Sequence, residues 1–169
     1  EIARCLDYNW LFCYLFVRDN IRFTPYRGLA RGPERTLIDR EGNDADQASL
    51  LFALLRASGY PSSTICYSPT NTFRVRLAGG QNDYDAAHWL GIPADGTVSD
   101  LTNAIHSVLS ASGVPFGFSL GASPQQSRLI VEHFCVWLND GYSSYYIDPS
   151  FKPRRRTPPE AALLADAGY

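Results

Sequence analysis

At 169 residues, 45% hydrophobic and 19% charged, the chain has the composition of one ordinary soluble globule with a sizeable core, not of a disordered or fibrous polymer. A formal net charge of −2 gives no reason to expect nucleic acid or an anionic membrane as partner. The longest apolar patch, 10–17, is cut by Arg18 and Asp19, which argues against membrane insertion.

The chain opens on Glu1 and holds no methionine, so the expectation is a single domain over 1–169, excised or processed from a longer protein. The first predicted element is a helix over 3–19, with Leu6, Trp10, Cys13, Tyr14 and Val17 at helical spacing. Pro25, Gly28, Gly32 and Pro33 mark an irregular connection, and Pro33 opens a short helix to about Arg40. Then comes "GNDADQASLLFALLRASGYP" (42–61): a turn, a helix over 44–58, and a stop at Gly59 and Pro61. This helix is apolar nearly all round over 50–55, which marks it as central and buried. Asp44 suits the position that caps its N-terminus.

"SSTICY" (62–67) predicts a strand, and 68–82 a loop around a short strand at 73–77. Helices are expected at 84–90 and 98–111, a strand at 114–120 and a polar loop at 121–128. "LIVEHFCVWL" and "YSSYYID" then flank Asp140-Gly141, a hairpin signal. A last helix at 158–167 follows the arginines 154–156, a run read as solvated loop. Helices first and a hairpin late predict an α+β domain, with helices packed on an antiparallel sheet.

Cysteines 5, 13, 66 and 135 lack the C-x-x-C spacing of a zinc site and read as buried thiols. Cys5 and Cys13, in one predicted helix, would stand about 12 Å apart, too far for a disulfide. Asp83 and Asp85 lack calcium-loop spacing. No metal and no cofactor are predicted. A two-residue turn at Asp140 and Gly141 places His133 directly opposite Asp148, where the carboxylate can accept a hydrogen bond from the imidazole. His88 and His106 sit in helical patterns with no carboxylate placed by such logic, and read as structural.

The 42–61 segment, with "EHFCVWL" and "YYIDPSFK", resembles the transglutaminase-like branch of the papain-type cysteine-enzyme superfamily, from about Tyr14 to Lys152. The closest likeness is to the cysteine-lacking variety found in large bacterial proteins with Rhs or YD repeats. Arg56, Gly59 and Pro61 match the family's helix end, Ala48 its small residue one turn in, and His133 and Asp148-Pro149 its remaining triad members. The resemblance implies a papain-like core: a central buried helix on an antiparallel sheet, with the site at the helix N-terminus. Counting back from Arg56, the family's nucleophilic cysteine falls on Asp44.

The catalytic positions are thus Asp44, His133 and Asp148. A carboxylate is a poor nucleophile for acyl transfer, because the mixed anhydride it forms is less stable than the amide. Cys135 stands two residues from His133 on one strand face, about 6–7 Å away, somewhat long for a nucleophile and its base. The expectation is therefore a catalytically degenerate binding or structural module of a larger exported bacterial protein, extracellular or at the cell envelope. Its partner would be the rest of that polypeptide or a protein or peptide ligand. The alternative is a hydrolase or transferase using Asp44 with the His133–Asp148 dyad on an amide or glycosidic substrate. Asp46 and Gln47 would line its cleft, and Trp137 and Tyr146, with Tyr145 and Trp89, would offer stacking surface.

Overall fold

A computed structural model of the chain describes residues 1–78 and 85–152, with the backbone alone over 68–73. The helix expected at 158–167, the arginines 154–156 and Asp83 lie outside the described residues.

The single helix expected at the start is two: α1 (Ile2–Cys5) and α2 (Trp10–Asn20). Asp7 and Tyr8 both turn into the left-handed region at φ 54°, and the Asn9 side chain accepts from Leu11 N at 2.8 Å to begin a new helix. Local capping thus overrides an apolar spacing that runs through the break. Cys5 and Cys13 consequently sit on different helices, one exposed and one buried.

Pro33 lies in the first turn of α3 (Gly32–Asp39), which ends at Arg40 with φ 53°. Two short strands, β1 (Arg22–Phe23) and β2 (Glu41–Gly42), pair in parallel around it. The central helix α4 spans Asp44–Ala57, and its cap is Asn43, not Asp44: Asn43 accepts from Asp46 N at 2.8 Å. Gly42 has no room for a side chain, since a Cβ there would meet the Asp46 Cβ at 2.8 Å.

The sheet is antiparallel, with β3 (Thr64–Arg76) on one edge of β5 (Arg128–Asn139). On the other edge β4 (Phe116–Ser119) and β6 (Ser144–Ile147) pair with β5 in turn. The expected loop after residue 67 is instead strand backbone, carried through a register shift between Ser68 and Phe73. Its Pro, Asn and Thr content is absorbed by that irregularity rather than by a break in pairing.

The expected two-residue hairpin turn spans four residues, 140–143. Asp140 Oδ1 accepts from Tyr142 N and Ser143 N at 2.9 and 2.8 Å, and Asn139 Oδ1 accepts from Gly141 N at 2.8 Å. Asparagine and aspartate side chains of this kind wrap the backbone into a longer turn. Val136 therefore pairs with Ile147, and one further step sets Asp148 across from Cys135, diagonal to His133. The slip is two residues, so Asp148 keeps the face expected of it.

Successive strand side chains point to opposite faces. Along β5 the buried positions run Leu129, Val131, His133 and then change parity to Val136 and Leu138. The first set packs with Trp89 of α5 (Ala86–Leu90) and Ile105 and Leu109 of α6 (Val98–Ser112). The second packs with Leu50, Leu51, Leu54 and Leu55 of α4 and Val17 of α2. His133 is the last buried residue before the change, so it lies where the two layers meet.

Leu51 is wholly buried whereas Ile38 is 72% exposed. Leu51→Ala is expected to lower the unfolding free energy in denaturant titration by about 2–5 kcal/mol. Ile38→Ala should stay within about 0.5 kcal/mol of the parent. Equal effects would mean that α4 is not the core.

Candidate active site

Because Asn43 takes the cap, the Asp44 carboxylate reaches outward to the sheet. Asn43 is itself fixed, its Nδ2 donating to Tyr26 O and Gly28 O at 2.7 Å each. Asp44 Oδ2 accepts from Phe134 N at 2.7 Å and lies 3.1 Å from His133 Nδ1. On the other side of the ring, His133 Nε2 lies 2.5 Å from Asp148 Oδ2. Asp148 Oδ1 accepts from Ser150 N at 2.9 Å and Ser150 Oγ at 2.7 Å. Ser150 Oγ in turn accepts from the Trp89 indole N–H at 3.1 Å. A continuous polar chain thus runs from Trp89 through Ser150, Asp148 and His133 to Asp44.

The His133 side chain is fully buried, while those of Asp44 and Asp148 keep 11% and 17% of their surface. Trp89 meets the imidazole edge-on at 5.4 Å between centroids, and Phe151 lies at 6.0 Å. Burial works against a charged ring. The Asp148 carboxylate, with Asp44 opposite, outweighs it and holds the imidazole pKa up at about 10. At neutral pH His133 is therefore an imidazolium between two carboxylates. In that state it can donate a proton but not accept one.

Asp46 and Gln47 are fully buried and act inside the fold. Asp46 Oδ1 accepts from Arg31 N and Gly32 N at 3.0 Å, and its Oδ2 from the Tyr26 hydroxyl. Burial, together with that bond to Asp46, pushes the Tyr26 hydroxyl up to about 12. Gln47 Nε2 donates to Gly42 O at 2.8 Å, and its Oε1 accepts from Lys152 Nζ at 2.5 Å. Burial pulls Lys152 down to about 7 against the attraction of Asp148.

Trp137 and Tyr146 are cross-strand partners, with Tyr146 76% exposed. Trp137 stands four residues from His133, about 13 Å along the strand. Tyr145 stacks on Trp10 at 5.1 Å. The fold therefore gathers Asp44, His133 and Asp148, and leaves Asp46, Gln47, Trp137 and Tyr146 in other settings.

Cys135 is no substitute nucleophile: burial pushes its thiol up to about 12, so almost none is thiolate at neutral pH. His88 holds Asp85 at 3.0 Å beside the N-terminus of α5, and His106 packs edge-on against Phe116. Ser150 and the Phe134 amide escaped the sequence reading. Ser150 had a signal in Asp-Pro-Ser, since an aspartate commonly bonds backbone two residues on. The Trp89 indole had none, being 61 residues from its acceptor.

His133 has a folded pKa of about 10 against about 6.5 unfolded. A pKa raised on folding gives stability that is complete below about pH 6.5 and lost as pH rises towards 10. The difference in unfolding free energy between the parent and His133→Gln should shrink across that window; a flat or growing difference would contradict the imidazolium. Ser150→Ala, which leaves the Trp89 indole without its acceptor, should lower stability by about 1–3 kcal/mol in the same assay.

Residues 8–91 match the family model described as the transglutaminase-like superfamily. No curated protein and no solved structure matches the chain. The matched stretch takes in α2, α3, the whole of α4 with Asp44, and β3; His133 and Asp148 lie beyond it. The described helices and antiparallel sheet form an α+β fold consistent with a papain- or transglutaminase-like core. Over residues 8–91 the sequence is thus similar to that of the transglutaminase-like superfamily.

Proposed function

We propose that this domain retains the charge arrangement of a cysteine-type acyl-transfer site without its nucleophile, and serves as a binding or structural module. The observation that carries the reading is the Asp44 carboxylate 3.1 Å from His133 Nδ1 at the start of α4. On the family resemblance, that is the place of the thiolate. A carboxylate–imidazolium pair has the same charges as a thiolate–imidazolium pair, so the surroundings stay electrostatically balanced while the reactive sulfur is gone. The resemblance to cysteine-lacking domains further supports a place in a larger exported bacterial protein. The rest of that polypeptide, or a peptide ligand, would be the partner.

The rival reading, a hydrolase or transferase on amide or glycosidic bonds, draws on the surface left to Asp44 and Asp148. In that reading His133, which carries its proton at neutral pH, would be the acid and a carboxylate the base.

Asp44→Cys tests the proposal directly. The new thiol would face an imidazolium at a helix N-terminus, and its alkylation by iodoacetamide should reach its plateau below pH 7. The parent, with no thiol against His133, should lack this low-pH phase. Amide hydrolysis or transamidation by the parent, abolished by His133→Ala, would overturn the proposal in favour of an enzyme.

A further inference from the structure

Two cysteines outside the triad face each other across the sheet. Cys66 of β3 is the direct partner of Cys135 of β5, in a register that holds from Thr64 opposite Trp137 to Ser68 opposite His133. Directly opposed residues in an antiparallel pair have Cβ atoms about 4.5–5.5 Å apart. A disulfide needs about 3.8 Å, within reach of a small local adjustment. Both residues are partly exposed, so a small reagent can reach them. Cys5 and Cys13 have no such arrangement: Cys5 is exposed on α1, and Cys13 is buried on α2 against the Ser58 hydroxyl at 3.4 Å.

The place of the pair in the sheet gives it consequence. Cys135 shares the face of His133, and the pairing of β6 sets Asp148 on its other side, so Cys66, Cys135 and Asp148 form one cross-strand row. The irregular part of β3 begins two residues beyond Cys66, after Ser68.

We propose that Cys66 and Cys135 are a redox pair that closes to a cross-strand disulfide on meeting a low-molecular-weight disulfide such as oxidised glutathione. Exchange starts at Cys66, since burial keeps the Cys135 thiol protonated. Cys66 sulfur attacks one sulfur of the small disulfide, forming a mixed disulfide and releasing one small thiol. Cys135 sulfur then attacks Cys66 sulfur, its proton passing to the departing small thiolate. The protein loses two hydrogens, and one small disulfide becomes two small thiols. The new bond pins β3 to β5 in the row that holds Asp148, just ahead of the β3 irregularity.

The test equilibrates the full chain with excess oxidised glutathione and counts thiols after denaturation. The expected result is loss of the Cys66 and Cys135 thiols together, a digest peptide joining 66 to 135, and a Tm several degrees above that of the reduced protein. C66S and C135S should each show neither the joined peptide nor the rise in Tm, while C5S should show both. Retention of the Cys66 and Cys135 thiols, or glutathione left bound at Cys66, would overturn the proposal.

Discussion

A charged imidazole buried between two aspartates constrains much of this molecule. A buried charge is tolerated only when paired, and His133 has a carboxylate against each ring nitrogen, at 3.1 Å from Asp44 and 2.5 Å from Asp148. That requirement draws three separate pieces of chain to one point: the first residue of α4, the middle of β5, and the segment leaving β6. Each aspartate is held by further bonds. Asp44 accepts the Phe134 amide, and Asp148 accepts both the hydroxyl and the amide of Ser150.

The rest of the architecture keeps those pieces in place. β5 carries two cores, one on each face, and His133 stands at the change from one to the other. The first turn of α4 is anchored from three directions: Asn43 to the Tyr26 and Gly28 carbonyls, Asp46 to the start of α3, and Gln47 to Lys152. With its neighbours so fixed, Asp44 is relieved of capping and available to the sheet. Side chains that resemble the lining of a cleft in the sequence are thus the scaffold that aims one carboxylate.

The hairpin shows how a local rule can miss in detail and still point the right way. Asp140-Gly141 does mark the turn, but Asp140 and Asn139 fold two more residues into it. A slip of two residues preserves the face, so Asp148 still reaches His133, diagonally. The break before Asn9 was less legible, because the apolar spacing of Leu6, Trp10 and Cys13 continues across it. In strand 64–76 only the middle was concealed: both ends read as strand, but 68–72 has the composition of a loop, while the backbone pairs on both sides of that irregularity.

What the sequence determined by itself were features written in neighbouring residues. These are the apolar helix of 44–57 with its glycine and proline stop, the helix opened by Pro33, the two strands around Asp140, and the likeness to transglutaminase-like domains. Periodicity, capping and turn chemistry act over a few residues, so they can be read from a few residues. Tertiary structure alone decided that Asp44 turns to Phe134, 90 residues on, and that Gln47 meets Lys152 across 105. It alone decided that Trp89 and Ser150 orient Asp148. Those bonds depend on how layers pack, and layer packing is a property of the whole chain that no short stretch encodes.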